Sequence, residues 1–176
     1  RRTRPGTAAQ SRPSENEDAL KAAGGGPEKA PRTCSEVTDA AKKLTKKDAG
    51  GQTTQYGLGP SIYGWLFEQL MATSGALYCD NGNGRDNRAA KVVYNSAEGK
   101  VILDWWKAGV DGGYFLNPDI DNAGATNAFN AGKSAMYIES SASLRGSVNT
   151  AKFKAATGLC PRPDGKPAPG RNVIGA

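Results

Sequence analysis

The chain has 176 residues, 38% of them hydrophobic and 7% aromatic, and a formal net charge of +6. That length suits one domain with its own core and excludes two large ones. Its apolar residues fall in blocks between turn signals, which excludes a disordered chain, and no block approaches the run of about twenty that a membrane-crossing helix needs.

Residues 1–14, rich in Arg, Pro and Ser, have no periodicity and read as a disordered basic tail ahead of a domain over 15–176. The basic start has no apolar stretch behind it, so no export signal is visible. A short helical turn is expected over 16–20, stopped by the glycines and proline of 24–27. Thr33 and Glu36 are spaced as a capping box, and Val37, Ala40, Ala41 and Leu44 follow as one apolar stripe. Lys42, Lys43, Lys46 and Lys47 then fall at that helix's end, where cations complement the dipole and form a solvated face.

A strand is expected over 54–58, closed by Gly59-Pro60. A helix follows from Ser61 or Gly64 to Thr73, with Trp65, Leu66, Leu70 and Met71 inward and Gly75 ending it. Residues 77–79 read as extended and 80–84 as a tight turn, lacking the alternating oxygens and closing glutamate of a calcium loop. After an extended 92–94, Ser96 caps a helix to about Val110. Adjacent Trp105 and Trp106 splay by about 100° on it, one into the core and one half exposed. Helices over 123–130 and 140–149 flank a buried strand at 135–138, and strands are expected at 157–159 and 172–174. Helices alternating with short strands give an α/β domain, a mixed sheet covered by helices.

Gly132-Lys133-Ser134 imitates the end of a P-loop, but Asn127 stands where the first glycine belongs, and the flanking helix and strand are in the wrong order. With no histidine in the chain, Ser-His-Asp and Cys-His arrangements are excluded. Nothing desolvates the loop carboxylates Asp119 and Asp121. Cys34, Cys79 and Cys160 lie too far apart for a zinc spacing. No catalytic residue, metal or cofactor is expected. The informative element is the strand 135–138 running into Glu139-Ser140-Ser141-Ala142-Ser143, since α/β sheets bind ligands beyond the carboxyl ends of their strands. These serines either hold a phosphate or polyol, or only cap the next helix. Likewise Tyr56, Tyr63 and Trp65, around the 57–64 turn, either face a sugar or glycerol ligand or belong to the core.

Taken together and in order, several segments resemble the extracytoplasmic solute-binding proteins that feed carbohydrate ABC transporters. They are Asn-Glu-Asp-Ala-Leu at 16–20, Pro-Arg-Thr-Cys-Ser-Glu-Val at 31–37, Tyr-Gly-Trp at 63–65, Ala-Phe-Asn-Ala-Gly-Lys-Ser-Ala-Met at 128–136 and Asn-Val-Ile-Gly at 172–175. The likeness is greatest to the glycerol-3-phosphate-binding branch. Cys34 stands where that family usually has tryptophan.

The resemblance implies a two-lobed, periplasmic-binding-protein-like fold of which this chain is the second lobe, with the first lobe missing and a truncated product expected. It implies that Trp65 stacks on the ligand beside Tyr63, that Ser140, Ser141 and Ser143 hold its polar or phosphate end, and that Gly175 approaches it near the hinge. Arg145, one turn into the helix, is a further candidate. The implied function is capture of a sugar or glycerol-3-phosphate-like solute, outside the cytoplasmic membrane, for the membrane subunits of an ABC permease. No enzymatic step is implied. The alternative reading is a stand-alone basic module binding nucleic acid or anionic surfaces through the arginine tail and lysine cluster.

Overall fold

The computed structural model describes residues 11–22, 30–61, 63–118, 122–158 and 160–166. The elements are β1 (Ser11–Asn16), α1 (Glu17–Ala22), α2 (Cys34–Leu44), β2 (Lys46–Lys47), β3 (Thr53–Pro60), α3 (Gly64–Thr73), a turn α4 (Asp80–Gly84), α5 (Ala97–Asp111), α6 (Asn122–Asn130), β4 (Ser134–Ser140), a 3-10 turn (Ser141–Ser143), α7 (Leu144–Thr150) and β5 (Ala155–Thr157). The strands form one mixed sheet in the order β2-β3-β4-β1-β5. β3 and β4 run parallel, with Leu58 opposite Met136 and Pro60 opposite Ile138. The remaining pairs, β2 with β3 and β1 with β4 and β5, are antiparallel. The α/β expectation of a mixed sheet covered by helices holds.

Helix α2 starts as its sequence requires. Thr33 Oγ1 accepts the Glu36 N–H at 3.3 Å, and Glu36 Oε2 accepts the Thr33 N–H at 3.2 Å, closing the capping box. Val37, Ala41 and Leu44 bury one stripe against the sheet. The helix stops at Leu44. Thr45 turns extended, its hydroxyl donates back to the Ala41 carbonyl, and Gln55 from β3 donates to the Leu44 carbonyl. β3 can pass this close to α2 because residue 57 is glycine: a Cβ there would stand 2.0 Å from the Ala41 carbonyl oxygen. Helix α5 is capped by Ser96, whose hydroxyl accepts the Gly99 N–H, and buries Ile102 and Trp106 while Trp105 stays half-buried.

The sheet is covered on both faces, and β4 is buried from Ser134 through Glu139. Met136 and Ile138 face the larger core with Leu20, Leu58, Leu66 and Leu70. Tyr137 faces the other way, stacked on Phe129 at 5.4 Å in a second cluster with Ala125. A strand buried on both faces reads as a continuous apolar run, which is how the sequence presents 135–138.

Five boundaries differ from expectation. The basic segment is not all tail: residues 11–16 form β1, inserted between β4 and β5. Strand pairing uses backbone groups, so Ser-Arg-Pro-Ser can join a sheet without the alternation that announces a strand. Lys46 and Lys47 do not extend α2 but form β2 beside β3, so the lysine cluster is divided between a helix end and a sheet edge. Gly59 and Pro60 do not close β3 but belong to it, buried. Ser140 ends β4 instead of opening a helix, and the 3-10 turn separates it from α7. The strand expected at 157–159 lies instead at Ala155–Thr157, and the one expected at 172–174 falls outside the described residues.

Candidate functional site

The last pair between the parallel strands is Pro60 with Ile138; β3 ends there, β4 runs on to Ser140, and the chain leaves each toward a helix start. That edge is where α/β sheets place ligands. Tyr63, the N-cap residue of α3, has extended backbone and no side-chain capping bond. Its ring stacks on Trp65 with centroids 5.7 Å apart and planes inclined by 22°. Both rings pack against the larger core while remaining part-exposed. The result is a flat aromatic shelf with one face anchored.

Tyr63 ties this shelf to the end of β4. Its hydroxyl donates to Glu139 Oε1 at 2.7 Å, and burial followed by that bond pushes the phenol above its ordinary range. Glu139 is only 6% exposed, and the same Oε1 accepts the Ser140 backbone N–H at 2.6 Å. Two residues on, the Ala142 N–H donates to Ser140 Oγ at 3.2 Å. Ser143 holds the N-cap position of α7 in helical geometry, with no side-chain capping bond. Beneath the edge, the buried Tyr137 hydroxyl meets Thr126 Oγ1 at 2.7 Å. Burial pushes the Tyr137 phenol up to about 12, with Thr126, Ser143 and Ser61 hydroxyls pulling the other way and Glu139 raising it.

The structure thus brings Tyr63, Trp65, Ser140, Ser141 and Ser143 to one edge. Arg145 is exposed on α7, and Gly175 lies outside the described residues. Tyr56 sits four positions earlier, within β3. The two residues that sequence reasoning passed over are Glu139 and Tyr137. Period-two alternation along β4 carries the signal, since it puts Tyr137 and Glu139 on one face, leading to Ser141.

Two cavities, of ≈ 330 Å³ beside Met71, Tyr78 and Arg85 and ≈ 340 Å³ beside Cys34, Trp105 and Asp164, share no residue with this edge. Among the described residues no group of three His, Cys, Asp or Glu side chains could hold a metal, and no helix is long and apolar enough to cross a membrane. An aromatic shelf beside hydroxyls and a carboxylate suits the apolar face and hydroxyl rim of a sugar or polyol.

A family model described as bacterial extracellular solute-binding protein matches residues 15–176. The chain is 32% identical over 165 residues to the sn-glycerol-3-phosphate-binding periplasmic protein UgpB of Escherichia coli, spanning 91% of this chain and 36% of that protein. Its fold superposes on the Listeria monocytogenes ABC substrate-binding protein Lmo0181, solved with cycloalternan, at a TM-score of 0.72 and 20% identity, covering 90% of this chain and 39% of that one. It superposes on the GacH receptor of Streptomyces glaucescens, solved unliganded and with acarbose, at a TM-score of 0.70 and 18% identity, covering 95% and 42%. The chain therefore spans between a third and a half of each of these three proteins.

Proposed function

Because the chain belongs to the bacterial extracellular solute-binding protein family, we propose that it forms the second lobe of a two-lobed clamp that captures a sugar or glycerol-3-phosphate-like solute. The solute lies across the edge of β3 and β4, with Trp65 and Tyr63 against its flat face and Ser140, Ser141 and Ser143 at its polar end. Gly175 approaches it at the hinge, and Arg145 borders it. Closure of the two lobes signals the membrane subunits of an ABC permease, outside the cytoplasmic membrane. Hinge closure needs no covalent chemistry, in keeping with a site that offers a shelf and hydrogen-bonding groups but no nucleophile–base pair.

The observation that carries this reading is the stacked Tyr63–Trp65 pair, fastened to the end of β4 through the Tyr63–Glu139 bond. Trp65 is only half-buried, which leaves part of its ring available to a solute. The test is a titration of neutral sugars and sn-glycerol 3-phosphate followed by amide chemical shifts. Trp65→Ala is expected to weaken binding about tenfold, the loss of a stacked aromatic, with the fold unchanged by circular dichroism. Equal affinity in the two proteins overturns the assignment.

A further inference from the structure

The serine-rich turn after β4 has the sequence of an anion cradle, but two of its backbone donors are already engaged. A phosphate is held by backbone N–H groups that have no other acceptor. Here the Ser140 N–H is taken by the carboxylate of Glu139 at 2.6 Å, and the Ala142 N–H by Ser140 Oγ at 3.2 Å. The first acceptor is itself an anion. Glu139 is 6% exposed and held in place by the Tyr63 hydroxyl at 2.7 Å, so it cannot swing away without breaking two hydrogen bonds. A dianionic phosphate brought to this turn would lose those donors to an internal competitor and meet a fixed negative charge, poorly screened because it is buried.

A sugar hydroxyl meets the opposite situation. A carboxylate offers about four acceptor positions, and Tyr63 and Ser140 occupy Oε1 alone. Charge-assisted bonds from solute hydroxyls are among the stronger hydrogen bonds. The Tyr63–Trp65 shelf beside it needs a ring or carbon chain to cover, not a charge.

Resting on the binding site proposed above, we infer that Glu139 is a specificity-determining residue that sets this lobe to take neutral polyols or sugars and to reject phosphate esters. The test uses the 176-residue chain with ¹⁵N label, as wild type and as Glu139→Gln. Glutamine keeps an oxygen for the Tyr63 and Ser140 bonds and removes only the charge. Arg12, the register partner of Glu139 in β1, is retained in both proteins. Each is titrated with three neutral disaccharides (maltose, trehalose, cellobiose) and with sn-glycerol 3-phosphate, reading the amides of Tyr63, Trp65 and Ser140.

The wild type is expected to bind at least one disaccharide about tenfold more tightly than the phosphate ester, and Glu139→Gln to remove most of that difference by gaining phosphate affinity. Tighter phosphate binding by the wild type, seen at the same amides, overturns the inference and leaves the site standing. A wild-type preference for disaccharide that survives in Glu139→Gln overturns the role given to Glu139. If no probe moves those amides, the site reading fails and the inference fails with it.

Discussion

Glu15 sits in β1 opposite Met136, fully buried, and neither carboxylate oxygen has a hydrogen-bond partner. Burial raises its pKa from 4.5 to about 7, because the charged form cannot be solvated there. The sign follows from linkage. Below pH ~4.5 the group is protonated in both folded and unfolded chains and costs nothing differential. Between ~4.5 and ~7 the folded chain holds the proton that the unfolded chain releases, so stability falls as pH rises. A displacement of that size corresponds to about 3 kcal/mol, lost in full above pH ~7. Glu15→Gln is therefore expected to match the wild type at pH 4 and to exceed it by up to about 3 kcal/mol at pH 8. Urea midpoints of both proteins across that range check this, and parallel curves would refute it. Other carboxylates, such as Asp164 held low by Ser35, contribute the opposite slope but cancel in the difference between the two proteins. The candidate site shows the same division between type and environment. The aromatic pair and the serines stood out in the sequence by residue type alone. The Tyr63–Glu139 bond did not, because it joins residues 76 positions apart in the chain.

At the scale of elements, what could be read in advance was whatever chain neighbours decide. The capping box at Thr33, the stripe on α2, the Ser96 cap and the buried run of β4 are all local patterns, and all are present. Thr33→Ala removes the acceptor for the Glu36 N–H and is expected to cost about 1 kcal/mol, or roughly 2–4 °C in Tm for a chain of this size. Thermal denaturation by circular dichroism checks it, and an unchanged Tm would mean that the cap contributes nothing. The start of α2 has a further anchor: the Cys34 N–H donates to the Arg162 carbonyl at 2.9 Å, and Ser35 Oγ donates to Asp164 at 2.5 Å. What local pattern could not decide was β1, whose backbone pairs with β4 and β5 from the far end of the sequence. The distinction has a direct test. A chain beginning at residue 11 is expected to melt like the full chain. One beginning at residue 16 strips the side of β4 that β1 covers, cuts β5 from the sheet, and is expected to lose cooperative unfolding. Equal melting of the two would return residues 11–15 to the status of a tail.

For the whole molecule, the governing feature is that the chain spans 36% of the length of its Escherichia coli relative. On the clamp reading proposed above, the contacts of an opposing lobe are needed to offset the entropy of holding a solute. The isolated chain is therefore expected to bind its solute weakly, in the millimolar range, near −4 kcal/mol. A chimera joining this chain to the remaining portion of the Escherichia coli relative is expected to bind at least about 100-fold more tightly. Calorimetric titration of the two checks this, and equal affinities would overturn the clamp reading.

The position of β1 also sets a timetable. On the ribosome β1 is made well before β4 and β5, so the centre of the sheet cannot zip up until translation of this segment is almost over. Sheets assembled from such distant partners fold slowly, because the long intervening loop must close before any pairing rewards it. Until those last strands arrive, β1 has no neighbour on either side, so an extended chain and a closed sheet are separated by the synthesis of only its final few dozen residues.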